Sequence, residues 1–375
     1  MRNFELEKYF AKWEFSARYH MTASDLESMS IKDLLSLDGD RAGAGAQGSF
    51  EDLWLGYTEV RGGPEMLAEI AKTYDSLKAE NILSFCGANE GIYATMRGLL
   101  QKGDHAIVVV PNYQSSETVP LDICQVTGVL LHEDNNWRID LDEVRAAIRP
   151  NTKMFIMNFP NNPTGAVMPK GDLDGLIEIC REHNLYLFSD EVFRLMELDE
   201  ADRMPQIADV YEKGISLNVM SKAYGLPGLR IGWIATQDAD VLDKVEQVKL
   251  YLSMCNSAPS EYLTTIALRN REPILERNRA LVGRNLAELD KFLAEFSHLF
   301  SWNRPKGSCI GFVKYLGDDG VEAFCKNLVE EHGILFLPPS VYRSELIDYA
   351  PQNFRIGFGR TVFDDGMVAL RKALA

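Results

Sequence analysis

The stretch SKAYGLPGLRIGW, from Ser221 to Trp233, sets a lysine and an arginine eight residues apart among three glycines. Lys222 closes the apolar run ISLNVMS. An ammonium there is costly to desolvate, so burial draws its pKa down from about 10.4. A neutral amine is a nucleophile and joins a carbonyl compound as a Schiff base. Read alone, Lys222 is more simply a surface lysine at a strand end, but its neighbours change the balance. Gly225 and Gly228 permit close backbone approach, and Arg230 offers a planar fork of donors matched to a phosphate.

Three other stretches carry residue types suited to the same kind of ligand. SDEVF, residues 189–193, follows the buried run LYLF, at the strand end where parallel sheets bind ligands. Asp190 there can hold a protonated ring nitrogen; alternatively Asp190 and Glu191 cap a helix. FPNNPTG, residues 159–165, makes a turn in any protein, and Asn162, stiffened by the proline after it, can also donate to a ring hydroxyl. In CGANEGIYATM, residues 86–96, Gly87, Ala88 and Asn89 open a helix whose free amides suit a phosphate, and an ordinary helix start explains them equally well.

The elements around these stretches read as an α/β chain. HAIVVVP (105–111), KMFIMNFP (153–160), LYLFSDE (185–191), ISLNVMS (215–221) and RIGWIAT (230–236) are continuous apolar runs, the pattern of strands buried on both faces. LDEVRAAIR (141–149) and LDGLIEICREH (173–183) have helical spacing and serve as crossovers, so the expected sheet is mainly parallel. Beyond Pro259 the pattern is helical for nearly forty residues, with Pro273 as a kink or a helix start. Short strands (GFVKYLG, NFRIGFG) then mix with helices (VEAFCKNLVEEHG, DDGMVALRKAL), which suggests a smaller α+β domain.

Bulk properties exclude several classes. The chain has 375 residues, 39 basic against 55 acidic, for a formal net charge of −16. That balance repels nucleic acid and anionic membranes, and no basic patch offsets it. The six cysteines are scattered without CxxC or metal-ligand spacing and read as free thiols in a reducing compartment. No segment has the uninterrupted apolar length of a signal core or a membrane span, so a cytoplasmic location is expected. GAGAQG, residues 43–48, matches a dinucleotide fingerprint by letter. It lacks the buried strand before it and the helix within it that the fingerprint requires, and it reads as a loop.

In order and placement, NNPTG, SDEV and SKAYGLPGLRIGW resemble the class I/II aminotransferases, pyridoxal-phosphate enzymes of fold type I. YTEVRGGPEMLAEIA (57–71), VVPNYQSS (109–116) and NFRIGFG (353–359) extend the resemblance over most of the chain, with residues 1 to about 45 poorly covered. It implies a large cofactor-binding domain (46–270) with a mainly parallel central sheet flanked by helices. A smaller α+β domain would draw on both chain ends, 271–375 and an N-terminal segment, 1–45, packed on it. It also implies that Lys222 is the Schiff-base lysine and proton shuttle, that Asp190 pairs with the ring nitrogen, that Asn162 binds the ring hydroxyl and that Tyr113 stacks on the ring. Arg230 with Gly87, Ala88 and Asn89 would hold the phosphate, and Arg355 would clamp a substrate α-carboxylate. Tyr57 resembles the tyrosine that reaches the neighbouring subunit's phosphate, implying a homodimer with shared sites acting on an amino acid and a 2-oxo acid. Trp13, Arg18 and Tyr19 are candidates for the side-chain pocket, although packing of an amphipathic helix explains them more simply.

One position departs from the family's pattern. Three residues after Asp190 the family has a tyrosine whose phenol donates to the ring hydroxyl, and this chain has Phe193. Without that donor the lysine–cofactor linkage should keep its proton to higher pH, unless another donor substitutes. A lyase, racemase or cyclase using the same cofactor, capreomycidine-synthase-like, is the alternative reading. A cofactor-sensing DNA-binding regulator is disfavoured by the charge and the lack of room for a basic domain, and a nicotinamide oxidoreductase by the context of GAGAQG.

Overall fold

The computed structural model describes residues 2–39 and 48–374; most of the GAGAQG stretch, 43–47, lies outside the described residues. The chain opens with helix α1 (Glu5–Trp13), a two-residue strand β1 (Tyr19–His20) and helix α2 (Ile31–Asp38), which Ser30 caps by accepting from the Asp33 N–H at 3.1 Å. Helix α3 (Pro64–Ala71), with proline in its first turn, leads to strand β2 (Ile82–Phe85) and helix α4 (Ala88–Leu99). Then follow β3 (His105–Val110), α5 (Ser115–Leu121), β4 (Gln125–Leu130), α6 (Leu141–Ala147), β5 (Thr152–Asn158), α7 (Lys170–Glu182), β6 (Tyr186–Asp190), a one-turn α8 (Ile207–Val210), β7 (Gly214–Val219) and β8 (Gly232–Ala235).

These strands form one seven-stranded sheet in the order β2-β8-β7-β6-β5-β3-β4. The pairs from β7 across to β4 are parallel, and β8 runs antiparallel to both of its neighbours, β7 and β2. Every residue of β2, β3, β6 and β8 is buried, as the unbroken apolar runs predict for strands with helices on both faces. All five strands expected from those runs are present. The sequence pattern does not mark β2 and β4, because β2 is short and β4 is mostly half-exposed at the sheet edge.

The second half continues with α9 (Ala239–Lys249), α10 (Ala258–Arg269) and α11 (Arg271–Glu295), the last two meeting at Asn270. Pro273 therefore sits in the first turn of α11, where its missing N–H costs nothing. Next come β9 (Phe300–Ser301), β10 (Ile310–Tyr315), α12 (Val321–His332), ended by Gly333 in the left-handed region, β11 (Ile334–Leu335), β12 (Asn353–Gly357) and α13 (Phe363–Leu374). Strands β12-β10-β9 make a small antiparallel sheet, and β11 pairs in parallel with β1. The N-terminal segment is thus tied to the C-terminal part of the chain.

Helix α1 does more than pack against that part. Its buried Leu6 joins a cluster holding Val109 and Phe155 of the central sheet together with Phe312 and Leu337, a burial worth about 1.5–3 kcal/mol. The helix therefore bridges the two sheets, and it does so over the carboxyl edge of the larger one. Among the described residues no helix is long and apolar enough to cross a membrane.

Candidate active site

At the carboxyl edge of the central sheet the chain leaves a cavity of about 440 Å³. Asp190 is the last residue of β6 and Asn158 the last of β5, while Ser221 and Lys222 follow β7 and Tyr113 follows β3. Because β8 is antiparallel, the residues preceding it arrive at this edge, and that delivers Arg230. From the small sheet β12 contributes Arg355. Eight of the expected residues therefore line one cavity: Lys222, Asp190, Asn162, Tyr113, Arg230, Ala88, Asn89 and Arg355.

Lys222 Nζ donates to Ser24 Oγ at 2.8 Å and stands 5.7 Å from the centre of the Phe193 ring. Burial lowers its pKa, Asp25 opposes that shift and Arg355 adds to it. Asp190 is 3% exposed, and burial pushes its carboxyl up to about 7 against the pull of the Val192 N–H and Lys222. A cation set against Asp190 would reverse that shift. No helix starts at Asp190; its Oδ1 accepts from the Val192 N–H at 3.2 Å in a turn. Glu191 points elsewhere, accepting from the Ile207 N–H and Ser216 Oγ, and so belongs to the scaffold.

Asn162 is held by its neighbours on every side but one. Its N–H donates to Asn158 Oδ1 at 2.7 Å, while Asn158 Nδ2 donates to the Asp190 carbonyl at 2.9 Å. Its own Oδ1 accepts from Arg355 Nη1 at 3.1 Å and from the Tyr342 hydroxyl at 3.2 Å. Both acceptor positions are used, which leaves Nδ2 as the donor for the cavity. Arg355, 1% exposed, is braced by Thr22, whose carbonyl accepts from Nη2 at 2.7 Å. Tyr113 donates to Glu7 at 2.9 Å and accepts from Asn89 Nδ2 at 3.0 Å, so its phenol is anchored between two elements.

The residues fit a pyridoxal phosphate. Arg230 sits at a positive φ of 51°, strain of a kind found at functional positions, and among the described residues it has no acidic partner. Gly87, at φ 94°, caps α4, and a Cβ there would lie 2.5 Å from Arg230 Nη2. Arginine, glycine and the first amides of α4 thus form a cradle that a larger residue would fill. Gly87 stands behind the lining, in reach of Arg230, whereas Tyr57 is 82% exposed and outside the cavity.

The N-terminal wall differs from the sequence expectation. Trp13, Arg18 and Tyr19 do not line the cavity; Glu7, Phe10 and Glu14 of the α1 stripe do, with His20, Ser24 and Asp25. Helical spacing of 7, 10 and 14 places that stripe on one face, but nothing local told which face meets the cavity. Asp25 takes both carboxylate oxygens to Arg360 Nη2, at 2.8 and 2.7 Å. This pair and Asn158 and Ser221 escaped sequence reading, although the last two adjoin the motifs that were found.

Comparison with known proteins gives a consistent result. The family model for "Aminotransferase class I and II" matches residues 44–365. A curated arginine–pyruvate transaminase of Pseudomonas aeruginosa is 27% identical over 87% of this chain and 86% of its own length. Capreomycidine synthase of Streptomyces vinaceus is 24% identical over 98% and 93%. A solved structure described as a pyridoxal-phosphate-dependent aminotransferase from Streptococcus suis superposes with a TM-score of 0.91 at 33% identity, over 100% of this chain and 97% of that one.

Proposed function

Since the chain belongs to the class I and II aminotransferases, whose cofactor is pyridoxal phosphate, we propose that it exchanges an amino group between an α-amino acid and a 2-oxo acid. The observation that carries this reading is the meeting of Lys222, Asp190 and Arg230, from three separate strand ends, in one cavity with Arg355 opposite. When bound, the cofactor supplies an aldehyde and an electron-accepting ring that stabilises negative charge at the substrate α carbon.

The chain's own residues do the rest in this reading. Lys222 would hold the cofactor through Nζ, and with an amino substrate in the cavity its neutral Nζ would take and return the α proton. Desolvation favours that neutral amine, and the Ser24 hydroxyl orients it. Asp190 would keep the ring nitrogen protonated, Asn162 Nδ2 would donate to the ring hydroxyl, and Tyr113 would pack on the ring. Arg230 with Gly87, Ala88 and Asn89 neutralises the phosphate, and Arg355 fixes the α-carboxylate. Tyr57, with the exposed Trp54, Leu55 and Tyr251, is offered to a second copy of the chain, so the working unit is a homodimer. The division into a large domain, 46–270, and a small one, 271–375 with the N-terminal 1–45, belongs to the same proposal.

The substrate side chain would face Glu7 and Glu14, because Asp25 and Arg360 neutralise one another. This favours a cationic side chain over a second carboxylate, in keeping with the name of the arginine–pyruvate transaminase. A lyase, racemase or cyclase is the second reading, favoured by Phe193 in place of a phenol and by the likeness to capreomycidine synthase.

An absorption titration of the reconstituted protein tests both. The visible band should bleach with the substrate amino acid and return with a 2-oxo acid, while Lys222→Ala should lose the lysine-linked band and about 10²–10⁴-fold in turnover. A band that shifts with release of ammonia or product, and is not restored by a 2-oxo acid, selects the second reading. No band after reconstitution overturns both.

A further inference from the structure

The family's phenol is absent at Phe193, yet a different phenol stands one residue removed from the ring position. Tyr342 ends the single 3₁₀ turn Pro339–Tyr342, between β11 and β12, and is buried with its ring edge-on to Phe312 at 5.6 Å. It does not line the cavity. Its hydroxyl donates to Asn162 Oδ1 at 3.2 Å, beside the 3.1 Å bond from Arg355 Nη1.

We propose that Tyr342 is a positioning residue: it locks the Asn162 amide with Nδ2 facing the cavity, and so sets the strength of the donor to the cofactor's ring hydroxyl that Phe193 cannot supply. The inference rests on the aminotransferase-type reading of the site. The chemistry of the contact requires this orientation. A guanidinium has no lone pair to offer, so the amide end that meets Arg355 must be the oxygen. One bond from Arg355 leaves the amide free to swing about it; the second, from a group on another element, removes that freedom. Together they also polarise the amide and strengthen its N–H as a donor. Burial pushes the Tyr342 phenol up to about 12, so it keeps its proton, and its role as donor, throughout the working range.

The charged groups around this contact are few. Arg355 from β12 and Glu7 from α1 act on Tyr342, while Asp190 from β6 and Lys222 after β7 share the cavity with Asn162. A change confined to the Tyr342 hydroxyl leaves all four in place.

The test is the pH titration of the lysine–cofactor absorption band in the reconstituted protein. Tyr342→Phe keeps the ring and its packing and removes only the donor. It should raise the midpoint by about half to one pH unit, the size of one modest hydrogen bond felt by one protonation state. Adding Phe193→Tyr to that variant, which restores a donor on the ring side, should bring the midpoint back down by a similar amount. A midpoint unchanged in Tyr342→Phe while Phe193→Tyr alone lowers it would overturn the proposal and leave the cofactor reading standing. Absence of the band in the parent protein would overturn both. Should Tyr342→Phe fail to fold, Tyr342→Leu, smaller and equally without a donor, carries the same comparison, and a midpoint equal to the parent's counts against the role.

Discussion

Asp190 ties the site to the pH dependence of the whole chain's stability. Burial pushes its carboxyl up to about 7 in the folded chain even with Lys222 pulling the other way, against roughly 3.9 for an unfolded aspartate. Between about pH 4 and pH 7 the folded state therefore holds a proton that the unfolded state has lost, so this group's stabilisation is full at low pH and disappears as pH rises through 7. A bound cofactor's ring cation removes the effect by favouring the ionised carboxylate. The thermal midpoint of the cofactor-free protein should accordingly fall more steeply than that of the loaded protein between about pH 4.5 and pH 7, and the two should run parallel above that. Asp190→Asn should flatten the cofactor-free curve; Glu191, also raised to about 7 by burial, contributes equally to both forms and does not account for a difference. Parallel midpoint curves for the two forms would remove Asp190 from the ring nitrogen.

At the scale of elements, the cradle is a joint between α4 and the segment entering β8. Gly87 needs its positive φ, and a side chain there would press on the Arg230 guanidinium. Gly87→Ala should raise the cofactor's dissociation constant at least about tenfold, about 1.4 kcal/mol, measured by fluorescence titration of the stripped protein. Unaltered affinity would mean that the phosphate is held elsewhere. A second joint ties the FPNNPTG turn to the loop before β10. The Gly165 carbonyl accepts from the N–H groups of Lys306 and Gly307, both at 3.0 Å, and a Cβ on Gly165 would meet Pro305 at 2.5 Å. The turn that presents Asn162 is thus braced from the same side of the molecule that supplies Arg355.

For the whole molecule, the open question of chemistry is assembly. Trp54, Leu55 and Tyr57 on one stretch and Tyr251 on another are each more than three-quarters exposed, and the Thr58 hydroxyl donates to the Asn256 carbonyl at 3.1 Å, which brings the two stretches together. Exposed apolar side chains gathered in this way fit the second copy of the chain proposed above. Sedimentation should give twice the chain mass of 42.2 kDa. Trp54→Glu with Tyr251→Glu should shift the protein towards monomer and weaken its retention of cofactor. A monomer that retains cofactor fully would exclude Tyr57 from any neighbouring site.

The placement of the site residues was legible in the sequence because their motifs are local. A buried strand run followed by a turn carries its own geometry, so Asp190, Asn162 and Lys222 could be placed at strand ends, and a mainly parallel sheet follows from runs buried on both faces. Phe193 was equally visible as a missing phenol. What only the tertiary structure decided are the contacts between distant segments: Arg360 on Asp25, Tyr342 on Asn162, Ser24 on Lys222, and the face of α1 that closes the cavity. Each joins residues from different elements, and periodicity records which face of an element is apolar without saying what lies against it. The reversed direction of β8 belongs with them, since an apolar run reads the same for either strand sense, and that direction is what brings Arg230 to the cavity.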